Sequence, residues 1–317
     1  ALVKRFDELD PTDRVTLLSD SFALVQSGGL PITSYFALLR ALPRAGDPSA
    51  GHGRAALWAV ASAQIESLDI ALAGTPAQAS LQAAARTLLG PQLARLGWVP
   101  RAGESVQVQH LRARLIEQLA KFDDPAVVRE VLRLFDRDDA GKPLHASIRG
   151  AVVRAAGQHA DRARFDRLLA RLKAATGEEE RHLLARALAS GRDAERAEQL
   201  LAACLAGVAP ANVASDIPGY MARHSPLGEL AYRYTLAHWQ RFAELAGTTG
   251  RTQLLPKAAA GFNDESRAGS LVDDQRKQAG ADGDSAAARE ASNIRLRAAM
   301  KARYAGQMPE LHAAGAR

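Results

Sequence analysis

"HSPLGELAYRYTLAHWQRFAEL", residues 224–245, decides how the rest of the chain is read. Ser225 offers a helix cap, and Pro226 suits a first helical position, where its missing N–H is no loss. At about 100° per residue, Leu227, Leu230, Ala231, Tyr232, Tyr234, Leu236, Trp239, Phe242 and Leu245 spread over about 200° of arc. Glu229, Arg233, Gln240, Arg241 and Glu244 line the opposite side. A helix resting on one layer needs an apolar stripe of roughly 100°, so the stretch predicts a single helix covered on two sides. His238 falls inside the arc, where an interior hydrogen-bonded histidine is the expectation rather than a ligand.

Outward from this stretch the same start signal recurs. Asp10 and Pro11 open "DPTDRVTLLSDSFALVQSGG", which stops at Gly28-Gly29; Asp124 and Pro125 open "DDPAVVREVLRLFDRDDAGK" in the same way. In "TPAQASLQAAARTLLGPQLARLG" Thr75 is the cap, Pro76 follows, and Gln78 completes a capping box. Alternating β-branched runs are missing, and the breaks at 43–53 and 280–285 read as loops, so the chain is all-α. In the middle third, "LRARLIEQLAKFDDPAVVREVLRLF", "IRGAVVRAAGQHADRARFDRLLARL" and "RHLLARALASGRDAERAEQLLAACL" each read as helix, turn, helix. Their turns, near Asp123, Asp161 and Asp193, recur at intervals of 38 and 32 residues. Hairpins at such spacing stack into an α-solenoid, each burying its faces against both neighbours. The expected fold is an irregular, HEAT/armadillo-like superhelix of stacked helical hairpins, with residues 1–317 as one domain.

The chain's 317 residues, 47% of them hydrophobic, are ample for a sizeable core. No run of 18 apolar residues occurs, so no membrane partner is expected. No basic-then-apolar leader precedes Ala1, and the missing initiator Met reads as processing or as a piece cut from a longer protein. Compartment is left between cytoplasm and periplasm. Net charge is +6, from 34 Arg against 7 Lys among 41 basic residues, a balance that raises a nucleic-acid partner. The arginines, however, stand beside Asp and Glu, as in "REVLRLFDRDD" and "DRARFDRLLARLK", with no block of five like charges. Solvated helix faces account for that pattern, and no nucleic-acid partner is expected.

Catalytic patterns are missing. The histidines are His52, His110, His145, His159, His182, His224, His238 and His312; none precedes Glu and no two stand four apart, so there is no His-Glu-x-x-His zinc helix. His159 and Asp161 flank a turn, and capping is the reading there. There is no phosphate loop, nucleophile elbow or cysteine pair. Cys204, alone in "EQLLAACLAG", reads as a buried structural thiol. No catalytic, cofactor-binding or metal residue is assigned.

Five segments in order carry a resemblance. Asp13-Arg14 with "LLSDSFALVQSGGLPITSYFALLRAL", then "ALWAVASAQIESLD" with Trp58, resemble the opening of the C-terminal helical domain of the puromycin-sensitive and endoplasmic-reticulum zinc aminopeptidases, in bacterial form. "LGWVPRAGESVQVQHLRARLIEQLAKFDDPAVV" is similar to that family's next signature, here Gly97, Trp98, Glu104, Ser105, Leu111 and Arg112. Gly228, Ala231, Tyr232 and Trp239 match a further run, and "NIRLRAAMKARYAGQMPEL" is similar to the closing helix. The likeness runs from about Asp10 to Leu311, departing at Arg44 with "AGDPSAGHG" and at Met300, where an aromatic residue is common.

The resemblance implies a division of labour. The family's zinc ligands and substrate-amine strand lie in an upstream catalytic domain, followed by a small β-sandwich; none of those motifs is in this sequence. Zinc is therefore expected only in the parent enzyme. The present chain would form a concave bowl that caps the catalytic cleft and holds the part of a peptide substrate remote from the scissile bond. Its partners would be the upstream domain of the same polypeptide and peptide substrates. A peptide ends in a carboxylate, which the planar fork of Arg matches. Arg112 and Arg149, at corresponding places in the first helices of adjacent hairpins, are the candidate peptide contacts. Two alternatives remain: a stand-alone protein-interaction scaffold, and a basic solenoid that binds nucleic acid.

Overall fold

The computed structural model describes residue 6, residues 8–42 and residues 52–307. Among them every regular element is a helix and no strand forms, as the missing β-branched alternation requires. The helices group into two compact units, residues 1–152 with 299–317, and residues 153–298.

The first unit begins with α1 (Pro11–Ser27), capped as read: the Asp10 carboxylate accepts from the Thr12 and Asp13 N–H groups, and Gly28 closes the helix at φ 87°. Next come α2 (Ile32–Ala41), α3 (His52–Ala71), α4 (Pro76–Leu96), α5 (Val106–Lys121) and α6 (Pro125–Asp139). Residues 43–51 of the expected loop, with Arg44, lie outside the described residues, and His52 and Gly53 already belong to α3. The Thr75 and Gln78 capping box does not form. Thr75 Oγ1 turns back to donate to the Leu72 carbonyl, and Gln78 accepts from the Gly74 N–H while its amide donates to Asp69. Tertiary hydrogen bonding to Asp69 outcompetes the local box.

Packing in this unit follows a stacking rule. α1, α3 and α5 lie against one another in a row, while α2, α4 and α6 each pack beside a member of it. Trp58, Leu115, Ile116 and Phe122 are fully buried in this core. The end of the chain joins it: the Tyr304 hydroxyl donates to the Val25 carbonyl at 2.6 Å. Met300 is buried, so a flexible aliphatic side chain fills the place of an aromatic one.

The second unit takes up the C-terminal part of α7 (Ala146–Gln158), then α8 (Arg162–Ala174), α9 (Glu178–Ala189), α10 (Ala194–Leu205), α11 (Ala211–His224), α12 (Gly228–Ala237), α13 (Trp239–Gly250), α14 (Leu254–Ala258), α15 (Glu265–Ala279) and most of α16 (Asp284–Tyr304). α9 packs on α8 and α10, and the next layer repeats two helices on, α11 on α9 and α12 on α10. All three expected helix–turn–helix segments are present, with α5 packed on α6 and α9 on α10, and the stacking is solenoid-like. Asp124, Asp161 and Asp193 cap α6, α8 and α10. The expected loop at 280–285 is one 3₁₀ turn, Ala281–Gly283, and α16 starts at Asp284.

The stretch 224–245 is corrected. It is two helices, α12 and α13, parted at His238, whose φ of −116° and ψ of 30° leave the helical region. Ser225 Oγ does accept from the Leu227 N–H, as a cap would. α12 buries Gly228, Ala231, Tyr232 and Thr235, a narrow stripe at spacings of three and four. The wide arc arose from drawing two helices on one wheel. His238 is exposed, not interior, with its ring against Tyr234 at 4.4 Å. Tyr234 and Trp239 are half-buried, and Trp239 packs on the Tyr232, Phe262 and Ile294 cluster. The helix that is covered nearly all round is α11, in small residues and Pro218 that a wheel of large apolar side chains does not pick out.

Candidate functional site

In the second unit the central turns of α9, α11 and α14 are almost wholly buried, and the few positions that are not fall together. From Leu184 to Ala189 of α9, only Arg186 is not buried; from Val213 to Ala222 of α11, only Asp216 and Tyr220; in α14, only Lys257. Asp216 and Tyr220 stand four apart, as do His182 and Arg186, so each pair runs down one helix face. Because α11 packs against both α9 and α14, the faces join into one polar line.

Glycine permits the approach. A Cβ at Gly219 would sit 2.9 Å from Lys257 Cβ, so a side chain there would push α14 away from α11. With Gly219, Lys257 Nζ donates to Asp216 Oδ1 at 2.7 Å. Tyr220 Oη lies 3.5 Å from Asp216 Oδ2 and 3.0 Å from His182 Nδ1. The Arg186 guanidinium sits over the Tyr220 ring, 5.0 Å from its centroid, and among the described residues it has no carboxylate partner.

Arg223, Arg233 and Arg295 likewise have no carboxylate partner among the described residues, and what distinguishes Arg186 is its place over the Tyr220 ring. Arg133 pairs with Glu130, Arg162 with Asp166, Arg164 with Asp161, Arg171 with Glu180 and Arg196 with Asp193. Such near-neighbour pairs are the solvated helix faces the sequence indicates. A fixed, unneutralised guanidinium beside a phenol and an imidazole can receive an anion.

Neither sequence candidate lies on this line. Arg112 is fully buried: its Nε donates to the Gly97 carbonyl at 2.9 Å, and its Nη2 donates to the Leu96 carbonyl and pairs with Glu104. It ties the Gly97 to Glu104 turn to α5, and in this arrangement it offers no surface to a peptide. Arg149 is 30% exposed, and its Nε donates to the Asp138 carboxylate at 3.1 Å. His159 lines a 290 Å³ cleft beside the hairpin turns, where Asp161 is the cap. Burial pushes the Cys204 thiol up to about 12, an unreactive thiol as expected. Among the described residues no group of three His, Cys, Asp or Glu side chains could hold a metal, so the zinc implied by the resemblance finds no fitting donor set here. No helix is long and apolar enough to cross a membrane.

The residue pattern of the ERAP1-like C-terminal domain family matches residues 1–290. The chain belongs to that family. A curated relative, Aminopeptidase 2 of Candida albicans (strain SC5314 / ATCC MYA-2876), is 25% identical over 165 residues, which is 51% of this chain and 17% of that protein. The chain thus corresponds to a small part of that relative's length. Within the ERAP1-like domain, four signature residues of the sequence make contacts inside the fold. Glu104 and Arg112 form the buried pair just described. Tyr232 is buried and donates to Asp274 Oδ2 at 2.9 Å, and Gly228 lies close against Ala222. The polar line went unread in the sequence because His182, Arg186, Asp216, Tyr220 and Lys257 come from three helices. The available signal was the i, i+4 pairs within two nearly uncharged helix faces.

Proposed function

We propose that this ERAP1-like domain is the non-catalytic C-terminal part of a zinc aminopeptidase, where it caps the cavity in which peptides are cut and holds their distal end. Its family, and a relative named as an aminopeptidase, support the first part. The unpaired Arg186, fixed over Tyr220, is the observation that supports the second. A peptide reaching this line presents its terminal carboxylate to Arg186 and Lys257, and its adjoining backbone to the Tyr220 hydroxyl and His182. Two charge-assisted contacts at a partly exposed site contribute about 1 kcal/mol each, enough to orient a peptide whose other end is held elsewhere. Arg149, already tied to Asp138, would be a secondary contact, and Arg112 a support of the fold.

The test is binding of a fluorescent decapeptide to the chain, with either a free or an amidated C-terminus. The free acid is expected to bind several-fold more tightly, and Arg186→Ala to abolish the difference. Equal binding of acid and amide, or a difference untouched by Arg186→Ala, refutes the carboxylate role.

A further inference from the structure

Resting on that reading, we propose that Asp216 is a built-in competitor for the peptide carboxylate, an internal anion seated where the ligand's would bind. Its carboxylate occupies the middle of the line. One oxygen takes the Lys257 ammonium at 2.7 Å and the other faces the Tyr220 hydroxyl at 3.5 Å. These are the same cation and the same hydroxyl that a peptide terminus would use.

Two features argue for a competitor rather than a plain structural ion pair. The pair is not sealed in the core: the Asp216 side chain is 28% exposed and that of Lys257 44%, so an incoming anion can reach both. Solvent screening leaves an ion pair at such exposure with little net stabilisation, so exchanging partners is inexpensive. Arg186 stays unneutralised within the same cluster, so the arrangement holds one cation satisfied and one open. A ligand carboxylate would bind first to Arg186 and then take Lys257 from Asp216. Asp216 would thus lower affinity for any anion and admit only ligands with other contacts to add.

The experiment compares the acid and amide decapeptides on wild type, Asp216→Asn, Lys257→Gln and Arg186→Ala, with thermal unfolding of each. Asn keeps the shape and a hydrogen-bond acceptor for Lys257 but removes the charge. Asp216→Asn is expected to tighten the acid about three- to fivefold, the scale of one partly exposed charge interaction, and to leave the amide unchanged. Lys257→Gln is expected to weaken the acid alone. If Arg186→Ala abolishes acid preference but Asp216→Asn leaves or weakens it, the proposed function stands and the competitor falls. If no variant tells acid from amide, both fall. A merely structural pair would lower the unfolding midpoint in both Asp216→Asn and Lys257→Gln with the acid-to-amide ratio unmoved, and that result also overturns the inference.

Discussion

Arg112 carries its charge into the interior of the first unit, where three partners meet it: the carbonyls of Leu96 and Gly97 and the carboxylate of Glu104. Removing one member of such a pair strands the other without water, at a cost of about 3–5 kcal/mol, whereas a half-exposed pair is worth roughly 0–1 kcal/mol. Arg112→Ala is therefore expected to lower the urea unfolding midpoint sharply, and Arg133→Ala, at the exposed pair with Glu130, to move it little. Equal shifts would contradict the assigned burial. The sequence held part of this answer. Arg112 follows Val108 by four and precedes Leu115 by three, on the stripe that α5 buries. Matching it to Arg149 by place in a hairpin used a helix's periodicity without its neighbours, and periodicity alone does not say which neighbour covers a face.

Helices and hairpins were legible because their signals are local. An Asp before the first turn satisfies orphan N–H groups whatever the helix later packs on, so Asp10, Asp124 and Asp161 cap as read, and Asp193, read only as a turn residue, caps α10 in the same way. Thr75 failed because Asp69, outside the local sequence window, drew Gln78 away. The break at His238 was missed because nothing in the local pattern forbids a helix there. The caps also predict a pH dependence. The Arg164 N–H bonded to Asp161 and the Arg196 N–H bonded to Asp193 hold both carboxyls below their ordinary range, with the neighbouring guanidinium groups adding to the effect. Between the unfolded value of about 3.9 and these lower folded values, the unfolded chain binds more protons, so stability falls as pH falls. The thermal midpoint of wild type should drop between pH 5 and pH 3 by more than that of the Asp161→Asn, Asp193→Asn double variant. Parallel curves would exclude the caps as acid-sensitive elements.

For the molecule as a whole, fold class followed from physics and function did not. The apolar periods call for stacked helices, and each unit builds them mostly by packing helices one to three steps apart in the chain. Nothing in that arrangement specifies peptides, since stacked hairpins serve many partners. What pointed to an aminopeptidase was the order of five motifs, and three of their residues, Trp58, Arg112 and Tyr232, are buried side chains. Catalysis, on this account, belongs to zinc ligands on another part of a longer polypeptide, and the chain should be inert by itself. Purified residues 1–317, dialysed against zinc and then buffer, are expected to retain well under one equivalent of metal by atomic absorption. They should release no chromophore from an aminoacyl p-nitroanilide above a buffer control. One tightly held zinc per chain, or turnover that a chelator stops, would place a metal centre inside this domain and overturn the division of labour.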